Sequence, residues 1–135
     1  MDGLFEGYGV YYFKDSEKTY NGTFIAGKIE GEGEMNWADG RQYYGQFKDG
    51  KEDGDGTFTY ANGDKYIGKF KEGKMEGYAI FLNMQEYTKR HGEWRNGNRV
   101  QWLSSPEVIN VETSPIKKSS YVWLNNIYIT SISYF

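Results

Sequence analysis

A 23-residue period restricts what this chain can fold into more than any other feature. The stretch Tyr43-Tyr44-Gly45-Gln46-Phe47 returns 23 positions earlier as Tyr20-Asn21-Gly22-Thr23-Phe24 and 23 positions later as Tyr66-Ile67-Gly68-Lys69-Phe70. Other landmarks keep step: Gly27-Lys28, Gly50-Lys51 and Gly73-Lys74; Gly31-Glu32-Gly33 and Gly54-Asp55-Gly56; Asp39-Gly40 and Asn62-Gly63. A unit this short cannot enclose a core, so its apolar side must be buried against neighbouring copies in a stacked array. Residues 3–19 read as the second half of a unit, 20–42, 43–65 and 66–89 as full units, and 90–100 as a first half. The array is therefore expected to occupy 1–100, with 101–135 as a C-terminal tail.

Within each unit the pattern alternates at period two. Tyr43, Gly45 and Phe47 point one way and Tyr44, Gln46 and Lys48 the other; Gly54, Gly56, Phe58 and Tyr60 share a face opposite Asp55, Thr57 and Thr59. Ala26-Gly27, Asp49-Gly50, Glu72-Gly73 and Asn96-Gly97 recur at one position between the two runs, which is hairpin punctuation. The composition agrees, with 18 Gly and 13 Tyr against 2 Pro, a mixture suited to short strands and tight turns. Glycine inside a strand costs about 1 kcal/mol in entropy, so its regular placement calls for a compensating contact. Rings such as Tyr43, Phe47, Trp37 and Tyr60 lying over the bare glycine backbone would supply it, since burying one such ring is worth roughly 1.5–3 kcal/mol. The predicted fold is all-β: an elongated single-layer antiparallel sheet of tandem 23-residue hairpins with a C-terminal extension.

The pattern Tyr-x-Gly-x-Phe-x-x-Gly-Lys-x-x-Gly-x-Gly, repeated over about residues 5–100, resembles the MORN repeat (membrane occupation and recognition nexus). The resemblance implies a rod-like hairpin array that serves as a scaffold in ciliary, cytoskeletal or junctional membrane assemblies. The absence of cysteine and of a secretion signal makes the cytoplasm the expected location, and the resemblance implies the cytoskeleton or the cilium and its axoneme within it. The third full unit departs from the pattern: Ala79 stands for the second glycine, Gln85-Glu86 for Asp-Gly, one residue is added, and Arg90 takes the place of the opening tyrosine. Terminal units of an array are commonly irregular in this way, because one edge has no neighbour.

The end units differ from the middle in their outward positions. The middle units carry Glu32, Glu34, Asn36, Asp55, Thr57 and Thr59 there, whereas the ends carry Tyr8, Val10 and Tyr12, and Tyr78, Ile80 and Leu82. Apolar side chains on both faces mark either a cap formed by the chain itself or a partner surface. In the tail, the 17 residues from Ser119 to Phe135 carry no charge, yet they are too polar and too few for a membrane-spanning helix. Tyr121–Leu124 and Ile127–Thr130 around Asn125-Asn126 predict a hairpin, expected to dock through Trp123, Tyr128 and Ile129 near Tyr78 or on another protein.

The net charge of −3 conceals a gradient of −7 over residues 1–64, +4 over 65–99 and 0 thereafter, which permits head-to-tail self-association. The acidic half disfavours nucleic acid. The basic half admits a second function, a peripheral membrane adaptor holding acidic phospholipids through Lys48, Lys69 and Lys71. Enzymatic chemistry is not expected: cysteine is absent, and the one histidine, His91, has no nucleophile near it in the repeat. Asp53-Gly54-Asp55-Gly56 lacks the further ligands of a calcium loop, and Asn21-Gly22-Thr23 is a glycosylation sequon within a strand of a chain that shows no secretion signal. No catalytic, cofactor or metal residue is assigned. The expected function is that of a non-enzymatic scaffold binding other proteins of a multi-subunit assembly.

Overall fold

The computed structural model describes residues 5–112, 121–124 and 127–130, with side chains as far as Ile109. One antiparallel ladder runs through β1 (Gly7–Phe13), β2 (Lys18–Ile25), β3 (Lys28–Trp37), β4 (Gln42–Lys48), β5 (Lys51–Thr59), β6 (Lys65–Lys71), β7 (Lys74–Asn83) and β8 (Thr88–Arg95) in sequence order. β9 (Asn98–Trp102) and β10 (Glu107–Val108) then lie end to end along β8. The sheet is open, and the described residues contain no helix. The all-β hairpin array read from the period is the structure observed.

Each unit's first and second strands meet at a two-residue turn whose first residue is Ala26, Asp49, Glu72 or Asn96, with φ of 50–52°. Glycine follows at φ of 80–85°. Positive φ at both central positions defines the type I′ turn, whose twist matches that of the strands it joins.

The register aligns the in-strand glycines into one row across the sheet, Gly9–Gly22–Gly33–Gly45–Gly56–Gly68–Ala79–Gly92. Over this row lie the tyrosines of the first strands. A Cβ added to Gly33 would stand 2.6 Å from Cζ of Tyr20, and one added to Gly56 would stand 2.5 Å from Cζ of Tyr43. The glycines thus clear a channel for rings, as the sequence argument requires. The Tyr20, Tyr43 and Tyr66 side chains are fully buried, and each hydroxyl donates to a carbonyl three residues on, that of Thr23 (3.0 Å), Gln46 (2.8 Å) and Lys69 (2.7 Å).

Phenylalanines complete the core. The rings Phe24, Tyr20, Phe47, Tyr43, Phe70, Tyr66 and Trp94 form an unbroken chain of edge-to-face contacts with centroids 4.9–5.3 Å apart. That is the favoured arrangement for aromatic quadrupoles. A one-layer sheet therefore has a core on one face, and each internal phenylalanine touches the tyrosine of its own unit and that of the unit before.

Two features depart from the sequence reading. The ladder does not stop near residue 100: β9 and β10 complete a second strand, kinked where Leu103–Pro106 stand opposite Arg90 and His91. In addition, β11 (Asn110–Glu112) joins β12 (Tyr121–Leu124) and β13 (Ile127–Thr130) in a separate three-stranded sheet of order β11-β13-β12. β12 and β13 pair as the predicted tail hairpin, while the third strand was not foreseen. The expected docking of Trp123, Tyr128 and Ile129 falls on side chains outside those described.

Candidate protein-interaction surface

The face opposite the rings is crossed by a second row, Val10–Asn21–Glu34–Tyr44–Thr57–Ile67–Ile80–His91. Strand spacing is about 4.8 Å, so this row tracks the whole array. Tyr8, Val10 and Tyr12 on β1 remain 74%, 65% and 58% exposed, and nothing among the described residues covers their outer side. Tyr44 and Tyr78 are exposed as well and flank a shallow groove of about 450 Å³ with Ile67 and Lys69 along it and Gly45, Gly56 and Gly68 at its floor. The alternation places Tyr44 on this outward face with Gln46 and Lys48, but it was not named among the binding residues, although an aromatic residue at an outward position was the available signal.

At the other end the expectation needs correction. Ile80 and Leu82 are buried, at 1% and 0% exposure, so they offer no surface to a partner. They pack with Ile109, Ile67 and Met84 in a small second core on the outer face. Lys65 and Lys89 lie beside Leu82 on the neighbouring strands, both buried, and the Lys65 ammonium donates to the Thr59 hydroxyl at 2.8 Å. Burial holds the Lys65 pKa below the ordinary lysine value. The cap is the segment just before the tail sheet: the Ile109 N–H donates to the Tyr87 carbonyl at 2.8 Å, as Ala38 N–H does to Glu17 in the first turn of this kind (3.0 Å). Chain continuing past residue 100 thus occupies the place a further repeat would take. Of the three apolar residues expected at this end, Tyr78 alone is exposed.

The three lysines of the membrane reading do not act alike. Lys69 is paired with Asp55 at 2.8 Å across the β5–β6 ladder. Lys48 and Lys71 are exposed at the turn edge, where Lys51, Lys71, Lys74 and Arg95 line a cleft of about 570 Å³ together with Glu72 and Glu76. The cations there are interleaved with acids. His91 lies on the outer face opposite Ile80, and burial, with Lys89 beside it, holds its imidazole below the ordinary pKa. Among the described residues no group of three or more His, Asp or Glu is arranged to hold a metal ion.

A set of joints between units also escaped the sequence argument. The turn N–H groups of Ala26, Asp49, Glu72 and Asn96 donate to Glu6 (2.6 Å), Glu30 (2.7 Å), Asp53 (3.1 Å) and Glu76 (3.0 Å) of the preceding unit. The turn glycines Gly27, Gly50, Gly73 and Gly97 donate in turn to the carbonyls of Phe5, Ile29, Glu52 and Met75. Each hairpin tip is therefore fastened to its predecessor. The signal was an acid-Gly pair in every unit, Glu6-Gly7, Glu30-Gly31, Asp53-Gly54 and Glu76-Gly77, whose glycines have φ of 81–104°.

Comparison with protein families returns the MORN repeat, whose model matches residues 1–18, 20–40, 43–65, 66–82 and 91–100. The matched segments follow the structural units, with short gaps at residues 19 and 41–42 and a longer one over 83–90, which holds the irregular turn at Tyr87 and Arg90. A search of curated proteins finds no match to the chain.

Proposed function

Because this chain belongs to the MORN-repeat family, whose units are non-enzymatic modules for protein and membrane interaction, we propose that it is a structural scaffold holding proteins of a larger assembly. The location we propose for that assembly is the cytoplasm, at the cytoskeleton or the cilium. The single observation that carries the reading is the apolar set Tyr8, Val10 and Tyr12 on the first strand of the sheet, exposed among the described residues. Apolar side chains grouped in this way on a surface mark contact sites. The rod supplies the other half of a scaffold's work, because joints at every hairpin tip fix the spacing of whatever binds along it.

The test replaces Tyr8, Val10 and Tyr12 together with aspartate and compares cross-linked neighbours in ciliated cells with those of the unaltered protein. Loss of specific protein neighbours, with the β-sheet circular dichroism retained, supports the scaffold. Retention of all neighbours would sink it. Lipid binding through Lys48, Lys69 and Lys71 is separated by vesicle co-sedimentation. Capture by anionic vesicles that is strong at low salt and lost at high salt would favour the adaptor reading instead, against which the Lys69–Asp55 pair already weighs.

A further inference from the structure

The cover over Ile80 and Leu82 is lightly held. β10, which leads into it, is a strand of two residues paired to β8 through Glu107–Lys89 and Val108–Thr88, and Val108 is 76% exposed. Beyond that ladder Ile109 adds its buried side chain and one main-chain bond, to the Tyr87 carbonyl. The preceding segment, Leu103–Pro106, belongs to no strand. There the Leu103 N–H donates to the His91 carbonyl at 2.8 Å. Ser104 takes two bonds from β8, its hydroxyl oxygen accepting from the His91 N–H (3.0 Å) and its carbonyl from Arg90 Nε (2.7 Å). Ser105 is exposed, and its hydroxyl makes no hydrogen bond among the described residues. Pro106 follows, with a fixed φ and no N–H to be satisfied. An exposed serine off the ladder, with an unengaged hydroxyl and a proline after it, is the form in which a proline-directed kinase takes its substrate.

We propose that Ser105 is a phosphorylation site for a proline-directed serine/threonine kinase, and that the phosphate lifts β10 and Ile109 away from Ile80 and Leu82. In the transfer the Ser105 hydroxyl oxygen bonds to the γ-phosphorus of ATP, the bond from that phosphorus to the bridging oxygen breaks, ADP leaves, and the hydroxyl proton passes to the kinase. The product carries about −1.5 to −2 charges at neutral pH. It enters a cleft of about 400 Å³ lined by His91, Leu103, Ser104, Ser105 and Glu107. The charge already in that lining is the Glu107 carboxylate, two positions along the chain, because burial, with Lys89 beside it, holds His91 below its ordinary pKa and so uncharged at neutral pH. The nearby cations are engaged elsewhere. Arg90 lies over the Trp102 ring, 4.5 Å from its centroid, and Lys89 is buried opposite Glu107. Like-charge repulsion between phosphate and Glu107 therefore acts on the two-residue ladder that holds the cover in place. Phosphorylation thus switches Ile80 and Leu82 from covered to exposed, beside Tyr78, which is exposed already. This surface is separate from Tyr8, Val10 and Tyr12, and the inference does not depend on the scaffold reading.

The test treats the full chain with a proline-directed kinase and magnesium ATP and locates the phosphate by mass spectrometry. Phosphate is expected on Ser105 and should be absent there from the Pro106→Ala variant. In the phosphorylated chain the Ile109 amide, bonded to Tyr87 in the unmodified form, should exchange about tenfold faster. A fluorescent apolar dye should bind more strongly, while the Tyr43 amide on distant β4 keeps its protection. Glu107→Gln removes the repelling carboxylate, so phosphorylation of that variant should leave Ile109 exchange near the rate of its own unphosphorylated form. Phosphate on Ser114 alone, which also precedes a proline, or no phosphate at all, overturns the site. Unchanged Ile109 exchange with Ser105 phosphorylated, or an equal acceleration in the Glu107→Gln variant, overturns the release of the cover.

Discussion

Tyr43 shows how much of this fold rests on single side chains. Its ring fills the space that Gly56 leaves, its hydroxyl satisfies the Gln46 carbonyl, and its edges touch Phe47 and Phe70. Gly56→Ala would drive a methyl group into that ring, and overpacking of this sort costs typically 1–3 kcal/mol; chemical denaturation should report a loss of about that size. Tyr43→Phe keeps the ring but leaves the carbonyl without its donor, which should cost about 1 kcal/mol. Titration adds a test with a definite sign. Burial above all raises the pKa values of Tyr20, Tyr43, Tyr60 and Tyr66. The folded chain therefore keeps protons that the unfolded chain gives up near pH 10, and this stabilisation is complete below that pH and is lost as pH rises toward the folded values. Lys65 acts oppositely: its lowered pKa makes stability rise with pH until the unfolded lysine titrates near 10.4. Four raised tyrosines outnumber one lowered lysine. Melting temperature should hence fall steeply above about pH 10, and Tyr43→Phe should make that fall shallower.

At the scale of the hairpin, the turns carry both strain and attachment. Ala26 adopts φ of 51° with no side chain suited to it, in a position that Asn96 fills in the last hairpin. A left-handed backbone costs an ordinary L-residue roughly 1–2 kcal/mol, and asparagine tolerates it better. Ala26→Asn should raise the melting temperature by a few degrees, since about 1 kcal/mol corresponds to roughly 4–8 °C in a domain of this size class. Asp53→Ala should have the opposite effect by a different route, because it removes the acceptor that holds the Glu72 turn to the previous unit. The bond is exposed, so the global loss should be small, and the informative readout is faster hydrogen exchange at Glu72 with little change at Tyr43.

The whole molecule behaves as a one-dimensional stack whose two ends are treated differently. One end closes on itself, with Ile109 laid over Ile80 and Leu82 and bonded to Tyr87; at the other, Tyr8, Val10 and Tyr12 have no such cover among the described residues. Ile109→Asp should release the 103–109 segment and expose Ile80 and Leu82. Because units in such stacks depend mainly on their neighbours, β2 to β6 should retain their exchange protection while β7 and β8 lose part of theirs. A fluorescent apolar dye should bind the variant more strongly than the parent. Uniform loss of protection across the sheet would contradict the linear picture.

Much of this was legible in the amino-acid sequence because it is local and repeated. The 23-residue spacing, the alternation of Tyr-x-Gly-x-Phe and the turn glycines dictate hairpins, their order and the face that carries the rings, since each depends on residues within one unit or the next. The family and the fold followed from the same residues. What the tertiary structure decided is how the repeat ends. The eye finds Ile80 and Leu82 apolar and outward, but whether Ile109 or a partner covers them depends on a kink at Leu103–Pro106 that no period describes. The acid-Gly pairs likewise acquire a role only when the next hairpin tip is brought beside them. Periodicity determines what neighbours do to one another; at the edges, where a neighbour is missing, packing in three dimensions chooses the substitute.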